Sequence, residues 1–307
     1  MKDQLKLDFE KTLKNISFSK NEIETKQNHL SRFLKVGIPG RNLENWKFSD
    51  LNQIIKKNIG ELSFYNDYSS SNKVDSSIFV DGLEQNKIVF INGRVEKIDF
   101  QYEEKNKIEI LEANELNDNF KNINSLVSLN NAFINKHFKI IIKNNYSLKK
   151  PLIIYHSTNQ KILSKNINIR LDFLLEKNSC LKIVDIFNDT SERNFVNIFY
   201  NFDLKQNSIL KNYKIDKLKN NNIKYSYNNI EQDANSVSET FIISAGSTFL
   251  KNEINCNLKG KYSSAFVNGI FSLKNKNHHE IRTNINHLID NTKSYQLIKS
   301  VSENDTK

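Results

Sequence analysis

The residues best suited to chemistry lie close together near the end of the sequence, in the segment NHHEIRTNINHL (277–288). It contains His278, His279, Glu280 and His287, side-chain types that bind transition metals or exchange protons. Successive side chains on a strand point to opposite faces, so the two adjacent histidines do not easily share one metal ion. His279 and His287 share a face only on an unbroken strand, where they are too far apart to bind one ion. We assign no catalytic, metal or cofactor-binding residue here and keep only His279 and His287 as metal-ligand candidates.

The two cysteines, Cys180 and Cys256, are the other candidates for covalent chemistry. No CxxC motif or Cys/His cluster lies near either of them, which argues against a zinc or dithiol site. They could act as sulfur-handling thiols or form one disulfide. Because cysteine commonly behaves as a small apolar residue, the sequence favours two buried thiols.

Nucleotide chemistry is not indicated. The nearest match to a phosphate-binding loop is at Gly260 and Lys261. It has Asn255 where the first glycine is needed and Tyr262 where a magnesium-binding hydroxyl is needed. The motifs GxSxG and GxGxxG do not occur in the sequence. The chain is therefore not predicted to be an enzyme of these classes.

The charge is basic, with 45 Lys and Arg against 35 Asp and Glu among 307 residues, a net charge of +10. Nucleic-acid grooves cluster arginine beside aromatic residues, because the guanidinium both pairs with phosphate and stacks on bases. Here the charge is nearly all lysine, scattered among 48 asparagines, and is interpreted as decoration of solvated faces. A basic nucleic-acid-binding protein remains an alternative; it would need the lysines and the 11 Tyr and 20 Phe together on one exposed surface.

The N-terminal residues MKDQLKLDFE alternate charged and apolar positions and do not resemble a secretory signal. No apolar run approaches the ~20 residues that a membrane span requires. We therefore expect a cytoplasmic protein with no membrane partner.

Two regions precede a long β-rich part. Residues 1–60 are predicted to be a helical region: Leu5, Phe9, Leu13 and Ile16 have helical spacing, and a second helix should stop at Gly37–Gly40. Residues 61–136 form a mixed α/β segment. In it, 87–100 is a strand-turn-strand candidate with Asn92 and Gly93 in a type I′ turn, and 107–135 has a mixed helical pattern.

Residues 137–307 consist of short β-rich runs with no helix of ordinary length between them. An apolar run, a small or polar pair and another apolar run recur at Asn178-Ser179, Asn207-Ser208 and Gly246-Ser247, with a looser fourth example after Gly260. Asn and Gly tolerate the left-handed backbone that tight corners need. Repeated strand-corner-strand units predict a mainly β, right-handed parallel β-helix (a solenoid), with an antiparallel sandwich as the alternative. A β-solenoid enzyme acting on polysaccharide is a second functional alternative, which a convergent acidic cleft would favour.

With these residues in view, the chain resembles the SufB/SufD family of iron–sulfur cluster assembly proteins, and within it the SufD branch. The segment GIPGRNLENWKFSDLNQI (37–54), with Arg41, Trp46 and Lys47, looks like the entry motif of that branch. IVFINGRV (88–95), with Asn92 and Gly93, is similar to a family strand that ends in Asn-Gly-Arg. SLNNAF (128–133) and KPLIIYH (150–156) resemble the approach to the solenoid. The segment 278–299, with His279, His287, Ser294 and Gln296, is similar to a family motif of His, Thr and Ser-x-Gln residues.

The resemblance implies a non-enzymatic scaffold subunit in a SufBCD complex, paired with a SufB-like subunit through the β-helix and with a SufC-like ATPase that hydrolyses the ATP. It implies no cofactor bound by this chain alone, an iron–sulfur cluster held transiently in the complex, and a flavin as a further possibility for the complex.

Family members continue past the Ser-x-Gln segment with more β-helix strands, a Cys/His-containing stretch and a helical region where SufC docks. This sequence stops at KSVSENDTK. We therefore expect a fragment, a frameshifted product or a shortened homologue, with the SufC docking region missing and no cluster ligand to transfer. A solenoid that ends without a cap is also expected to self-associate.

Overall fold

The structure, a computed structural model, describes residues 2–15, 18–64, 74–113, 124–158, 162–189, 192–218, 222–274 and 276–303. Within these ranges the α-helices are α1 (Lys2–Asn15), α2 (Lys20–Val36), α3 (Leu51–Asn58) and α4 (Ser125–Phe133). The earlier strands are β1 (Ser63–Phe64), β2 (Asn86–Ile91), β3 (Arg94–Asp99), β4 (Ile108–Ala113), β5 (His137–Ile142), β6 (Leu152–Thr158), β7 (Lys165–Leu175) and β8 (Cys180–Asp189). The later strands are β9 (Phe195–Leu204), β10 (Ile209–Leu218), β11 (Ile223–Gln232), β12 (Val237–Gly246), β13 (Phe249–Leu258), β14 (Ser264–Leu273), β15 (His278–His287) and β16 (Lys293–Ser302).

From β5 onward, successive strands alternate between two sheets. One sheet, here sheet A, has the order β15-β13-β11-β9-β7-β5-β4, and the other, sheet B, has the order β16-β14-β12-β10-β8-β6-β2-β3. The strands from β5 to β16 pair in parallel with the strand two places away, as β9 does with β11. One strand from each sheet makes one coil, and apolar residues from both sheets form a continuous core. The predicted parallel β-solenoid after N-terminal helices is confirmed, and the antiparallel sandwich is wrong.

One edge of the solenoid is built from asparagines in left-handed conformation. Asn145, Asn178, Asn207, Asn235 and Asn291 all have φ between 57° and 61°. We call this edge the asparagine corner. Their side chains form a ladder along part of it, because Asn207 Nδ2 donates to Asn178 Oδ1 (2.7 Å) and Asn178 Nδ2 to Asn145 Oδ1 (2.6 Å).

The predicted corners at Asn178 and Asn207 are confirmed, but Gly246-Ser247 lies elsewhere. Gly246 (φ 76°) and Ser247 (φ 63°) connect β12 to β13 at the other edge, the opposite corner. After Gly260, Tyr262 (φ 64°) occupies the left-handed position between β13 and β14. A Cβ on Gly260 would lie 1.9 Å from the backbone nitrogen of Ala234, which explains the glycine there.

The N-terminal helices follow the predicted pattern. Leu5 and Phe9 of α1 are buried, while Ile16 lies outside the described residues. Ser19 begins α2 with a capping box to Glu22, and α2 ends at Gly37, whose N–H donates to Phe33 O. No helix of the described residues is both long and apolar enough to cross a membrane.

The mixed segment supplies the first strands of both sheets. β2 and β3 form an antiparallel hairpin whose turn has Asn92 at φ 54° and Gly93 at φ 80°, as predicted. The helical interpretation of 107–135 is wrong at its start, because β4 pairs antiparallel with β5, and a helix begins only at Ser125. The two glutamates of IEILEA are three residues apart, so the segment lacks the alternation of a one-faced strand, and its strand conformation follows from pairing with β5.

The motif SLNNAF attaches α4 to the solenoid. The Asn130 side chain donates to the carbonyl oxygens of Ile169 (3.0 Å) and Asn197 (2.8 Å) on sheet A. Asn131 Oδ1 accepts from the buried guanidinium of Arg170 (2.9 Å). The two asparagines of this motif therefore join the helical region to β7 and β9.

Candidate functional site

The entry motif anchors the N-terminal region to the middle of sheet A. Trp46 is buried, and its ring centroid lies 5.7 Å from that of Tyr225 and 6.3 Å from that of Phe249. The Lys251 ammonium lies 4.2 Å from the Trp46 ring centroid and donates to Asn45 O (2.6 Å). Trp46 therefore holds the chain near residue 46 against strands β11 and β13 through stacking and a cation–π contact.

The other two residues of that motif are on the surface. Arg41 is exposed, and Lys47 donates to Glu44 Oε1 (2.9 Å) while its ammonium lies 5.1 Å from the Phe48 ring centroid. Only the tryptophan of the three is part of the anchor.

The adjacent histidines of the 277–288 segment point to opposite faces of β15. His278 Nε2 lies 2.8 Å from Glu280 Oε1 on the outer face. His279 faces inward, with Nε2 2.6 Å from Gly246 O and Nδ1 3.0 Å from Ser244 Oγ. Because a carbonyl oxygen can only accept, Nε2 of His279 carries the proton and Nδ1 accepts from the serine hydroxyl.

In this segment the ion pair lies on the outer face of β15, whereas the inward-facing His279 is neutral. Burial lowers the pKa of His279, which favours the neutral ring. Burial alone would raise the pKa of Glu280, but hydrogen bonds from His278 and Lys251 lower it to about 2. The carboxylate is thus ionised, with Lys251 donating to its Oε2 (2.6 Å) and the His278 ring beside its Oε1.

The remaining motif residues meet on the last coil, β15 and β16, here called the end coil. His287 Nδ1 lies 2.6 Å from Thr292 Oγ1 and its Nε2 lies 3.0 Å from Ser294 Oγ. Thr283 Oγ1 donates to Gln296 Oε1 (2.6 Å). The motif therefore makes three side-chain hydrogen bonds within the end coil, two at His287 and one at Thr283.

His279 and His287 are not brought together. They lie near opposite ends of the ten-residue strand β15, beside opposite corners. This is the separation along an unbroken strand that argued, from the sequence, against a shared metal ion. Within the described ranges, no group of three or more His, Cys, Asp or Glu residues could hold a metal ion.

A polar cluster that the sequence did not reveal lies inside the solenoid. We call it the interior charge network; its members are His156, Asp185, Tyr200, Lys214, Asp216 and Lys224, all at most 2 % exposed.

Its contacts run from β6 to β11. His156 Nε2 lies 2.6 Å from Asp185 Oδ1 and 2.9 Å from the Tyr200 hydroxyl. Lys214 Nζ lies 3.5 Å from Asp185 Oδ2 and donates to Ser226 Oγ at 2.9 Å.

Lys224 completes the network with an ion pair to Asp216 and an ammonium 4.1 Å from the Phe187 ring centroid. The two carboxylates of the network thus face two ammonium groups, and opposite charges offset one another where water is largely excluded.

Burial and charge set the protonation of this network. Burial lowers the pKa of His156 despite its carboxylate neighbour, so the ring is neutral. Burial alone would raise the pKa of Asp185, but His156, Lys214 and Lys224 hold it well below its usual range. The His156–Asp185 contact is therefore a hydrogen bond from a neutral ring to an ionised carboxylate.

Several buried polar atoms beside the network have no hydrogen-bond partner among the described residues. They are His156 Nδ1, both amide atoms of Asn212, Asn228 Nδ2 and Asn252 Oδ1. Unpaired buried polar atoms are costly, and ordered water is their usual partner in folded proteins.

The two ends of the interior differ. Toward the asparagine corner it is mainly apolar, with Phe173, Phe202, Leu204 and Leu258 at most 1 % exposed. We call this part the apolar half, and the part with the interior charge network the charged half.

Both cysteines are free thiols, so the disulfide alternative is wrong. Cys256 is buried as expected, but Cys180 is half-buried. Burial raises the pKa of both thiols, that of Cys256 to about 12. Neither is ionised near neutral pH, so neither is poised as a nucleophile.

The interpretation of lysine as surface decoration is wrong for the solenoid's buried lysines. Lys214 and Lys224 are completely buried, and Lys251 is 2 % exposed. The two-residue period of a strand could have revealed this burial. Leu210, Lys214 and Asp216 lie on the same face of β10, and the leucine marks that face as the inward one.

The alternatives gain no support from this geometry. Asp185 and Asp216 lie inside the solenoid, not in an outer cleft that could admit a polysaccharide. Many of the large aromatic side chains are buried and therefore do not line a basic surface.

Residues 157–307 match the model of the SufBD core domain, described as SUF system FeS cluster assembly. No curated protein matches the sequence. The matched range begins at the end of β6 and includes β7 to β16 together with most of the interior charge network. Over these residues, 151 of the 307 in the chain, the protein is similar to the SufBD core domain of iron–sulfur cluster assembly.

Proposed function

We propose that this chain is a SufD-like, non-catalytic scaffold subunit that works with a SufB-like subunit and a SufC-like ATPase. The observation that carries the proposal is the SufBD core match over 157–307, the range that folds as the main part of the solenoid. The entry motif adds support for the SufD branch, since its Trp46 is built into the anchor on sheet A.

The end coil is the surface that we assign to the SufB-like partner. Among the described strands, β15 pairs only with β13, and β16 pairs only with β14. All ten residues of β16 are exposed, including Tyr295, Leu297 and Ile298. A strand edge with unpaired backbone groups beside apolar side chains favours pairing with a further strand, the role that we assign to the SufB-like subunit.

The chemistry is expected to belong to the complex. ATP hydrolysis is assigned to the SufC-like subunit, because this sequence has no phosphate-binding loop. The iron–sulfur cluster is cargo that the complex holds transiently, and the two protonated thiols support a scaffold role for this chain. A flavin in the complex stays a prediction, with no residue of this chain assigned to it.

Co-purification tests the proposal. Tagged protein co-expressed with a SufB-like and a SufC-like subunit should retain the SufB-like subunit at about one copy per chain. Ile298→Glu should abolish that retention, because Ile298 lies on the edge strand β16 and is 38 % exposed. Ile270→Glu is the matched control: Ile270 is 48 % exposed on the outer face of β14, a strand already paired on both sides by β12 and β16.

Circular dichroism and the thermal midpoint of each variant establish that both remain folded. Failure of the unaltered chain to retain the SufB-like subunit would contradict the proposed function. If the Ile298→Glu variant still retains the SufB-like subunit, the scaffold role is not contradicted, but the interface does not lie on the end coil.

A further inference from the structure

A polar cleft lies on the outer face of sheet A, beside the Trp46 anchor. Its volume is about 440 Å³, in the range of small-molecule sites, and its walls include Asn45, Asn124, Tyr227, Glu253, Arg282 and Asn284. Asn45 comes from the entry motif and Asn124 from the start of α4, while the others lie on β11, β13 and β15. We call it the Arg282 cleft.

The floor of the cleft is one row across the sheet. Tyr227 on β11 is in register with Glu253 on β13, which is in register with Arg282 on β15. Neighbouring side chains of opposite charge in such a row normally pair. Among the described residues, however, the guanidinium of Arg282 makes no hydrogen bond and no ion pair, not even with Glu253.

Glu253 is the buried member of the row, at 4 % exposure. Its Oε2 accepts from the Tyr225 hydroxyl (2.9 Å), whereas Oε1 has no hydrogen-bond partner among the described residues. The nearest cation to Oε1 is Lys251 Nζ at 3.8 Å, and that ammonium is already bound by Glu280 and Asn45. The site therefore holds a desolvated acid with an unfilled hydrogen-bonding atom.

Burial disfavours negative charge on the acid and the phenol of this row. Burial raises the pKa of Glu253, outweighing the opposing effects of Lys251, Tyr225 and Arg282. Burial also raises the pKa of the Tyr227 phenol. The neutral phenol can donate a hydrogen bond, and the raised pKa of Glu253 makes this acid easier to protonate than an exposed glutamate.

We propose that the Arg282 cleft binds a small organic carboxylate, with the guanidinium of Arg282 pairing with the carboxylate group. The planar guanidinium matches a carboxylate with two parallel hydrogen bonds. The Tyr227 phenol provides a further donor at the floor, and the amides of Asn45 and Asn284 line the space for the rest of the molecule. The site is on the outer face, so it does not depend on the pairing proposed for the strand edge.

A carboxylate fits better than a phosphate dianion. Among the residues that the structure describes, the cleft has one guanidinium and it is unpaired, and the acids Glu44 and Glu253 lie close enough to Arg282 to feel its charge. One guanidinium balances one negative charge, whereas phosphate sites usually combine several cationic or backbone donors.

Calorimetric titration of the isolated chain with succinate tests the proposal. We expect saturable binding to one site, weakened at least tenfold in Arg282→Gln, and no binding of succinamide, which has the same length without charge. Lys299→Gln removes the same charge from β16 of sheet B and should leave the affinity unchanged. Glu253→Gln, which keeps the shape of the side chain without its charge, should retain binding.

Three results would overturn the assignment. One is the absence of saturable succinate binding, and another is an equal loss in Lys299→Gln, which would indicate a response to net charge alone. Tighter binding of inorganic phosphate than of succinate would overturn the carboxylate assignment. Thermal midpoints show whether each variant is folded, and none of these measurements requires the SufB-like subunit.

Discussion

The two halves of the solenoid interior are built on the same backbone and differ in what they bury. In the apolar half, Phe173 and Phe202 stack with ring centroids 4.9 Å apart. In the charged half, Lys224 and Asp216 form an ion pair that is buried to a similar extent. Apolar burial stabilises the fold directly, whereas a buried ion pair roughly offsets its own desolvation. The charged half therefore contributes specificity of packing more than net stability.

The largest expected effect comes from breaking the ion pair. Lys224→Met alone should lower the free energy of unfolding by about 3–5 kcal/mol, because it leaves the Asp216 carboxylate buried without its cation. The double variant with Asp216→Leu should recover most of that loss. Urea unfolding of the three proteins measures both effects. Additive losses would show that the two residues are not coupled.

The apolar half offers a matching test of the comparison between the two halves. Phe202→Ala should cost about 3–5 kcal/mol, since it removes a fully buried ring from the stack. No second substitution in the charged half should restore it, in contrast to the ion pair. Recovery by Lys224→Met would contradict the separation of the halves.

A smaller effect concerns pH. The pKa of His156 is lowered by burial, so as pH falls below about 6.5 the unfolded chain takes up a proton that the folded chain does not. Stability should fall with that acidification by at most about 1.4 kcal/mol per pH unit from this residue. His156→Gln should remove this contribution, so the variant loses less stability between pH 7 and 5.

Phe202→Leu is the control, because it alters the apolar half without a titratable group. Its stability should run parallel to that of the unaltered chain across the same pH range. The burial-lowered pKa of His137, about 4, contributes equally to each protein and cancels in the difference. A parallel profile for His156→Gln would contradict the neutral, buried imidazole.

The smallest effect is expected at the asparagine corner beside the apolar half. Asn207→Ala should cost about 1–2 kcal/mol, because alanine resists the left-handed backbone at φ 61° and cannot extend the amide ladder. Asn207→Gly keeps the backbone conformation and should cost less. Thermal unfolding of the two variants separates backbone preference from the ladder, and equal losses would assign the whole effect to the lost amide.

The sequence predicted the architecture better than the interior. The Asn-Ser corners and the Asn92-Gly93 turn were readable because left-handed positions strongly restrict residue type. The strands of the charged half looked solvated, since a lysine such as Lys214 is polar whether it faces water or a buried carboxylate. Sequence alone does not show which residue of another coil lies opposite.

The same limit applies to the sites. The separation of His279 from His287 was predictable from strand geometry, because it depends on one strand only. The Arg282 cleft was not, since it combines Asn45, Asn124 and three later strands. Its walls depend on contacts between residues far apart in the chain, and none of its members stands out by type.

The Trp46 anchor has a consequence for the order in which the molecule is completed. Asn45 accepts its hydrogen bond from Lys251, a residue 206 positions later. At a synthesis rate of about 5–20 residues per second, the N-terminal region waits roughly 10–40 s before its docking strand exists. During that time Trp46 lacks the surface that buries it, while the early coils can already stack on one another. The interval before docking is therefore when a newly made chain exposes this tryptophan to other proteins.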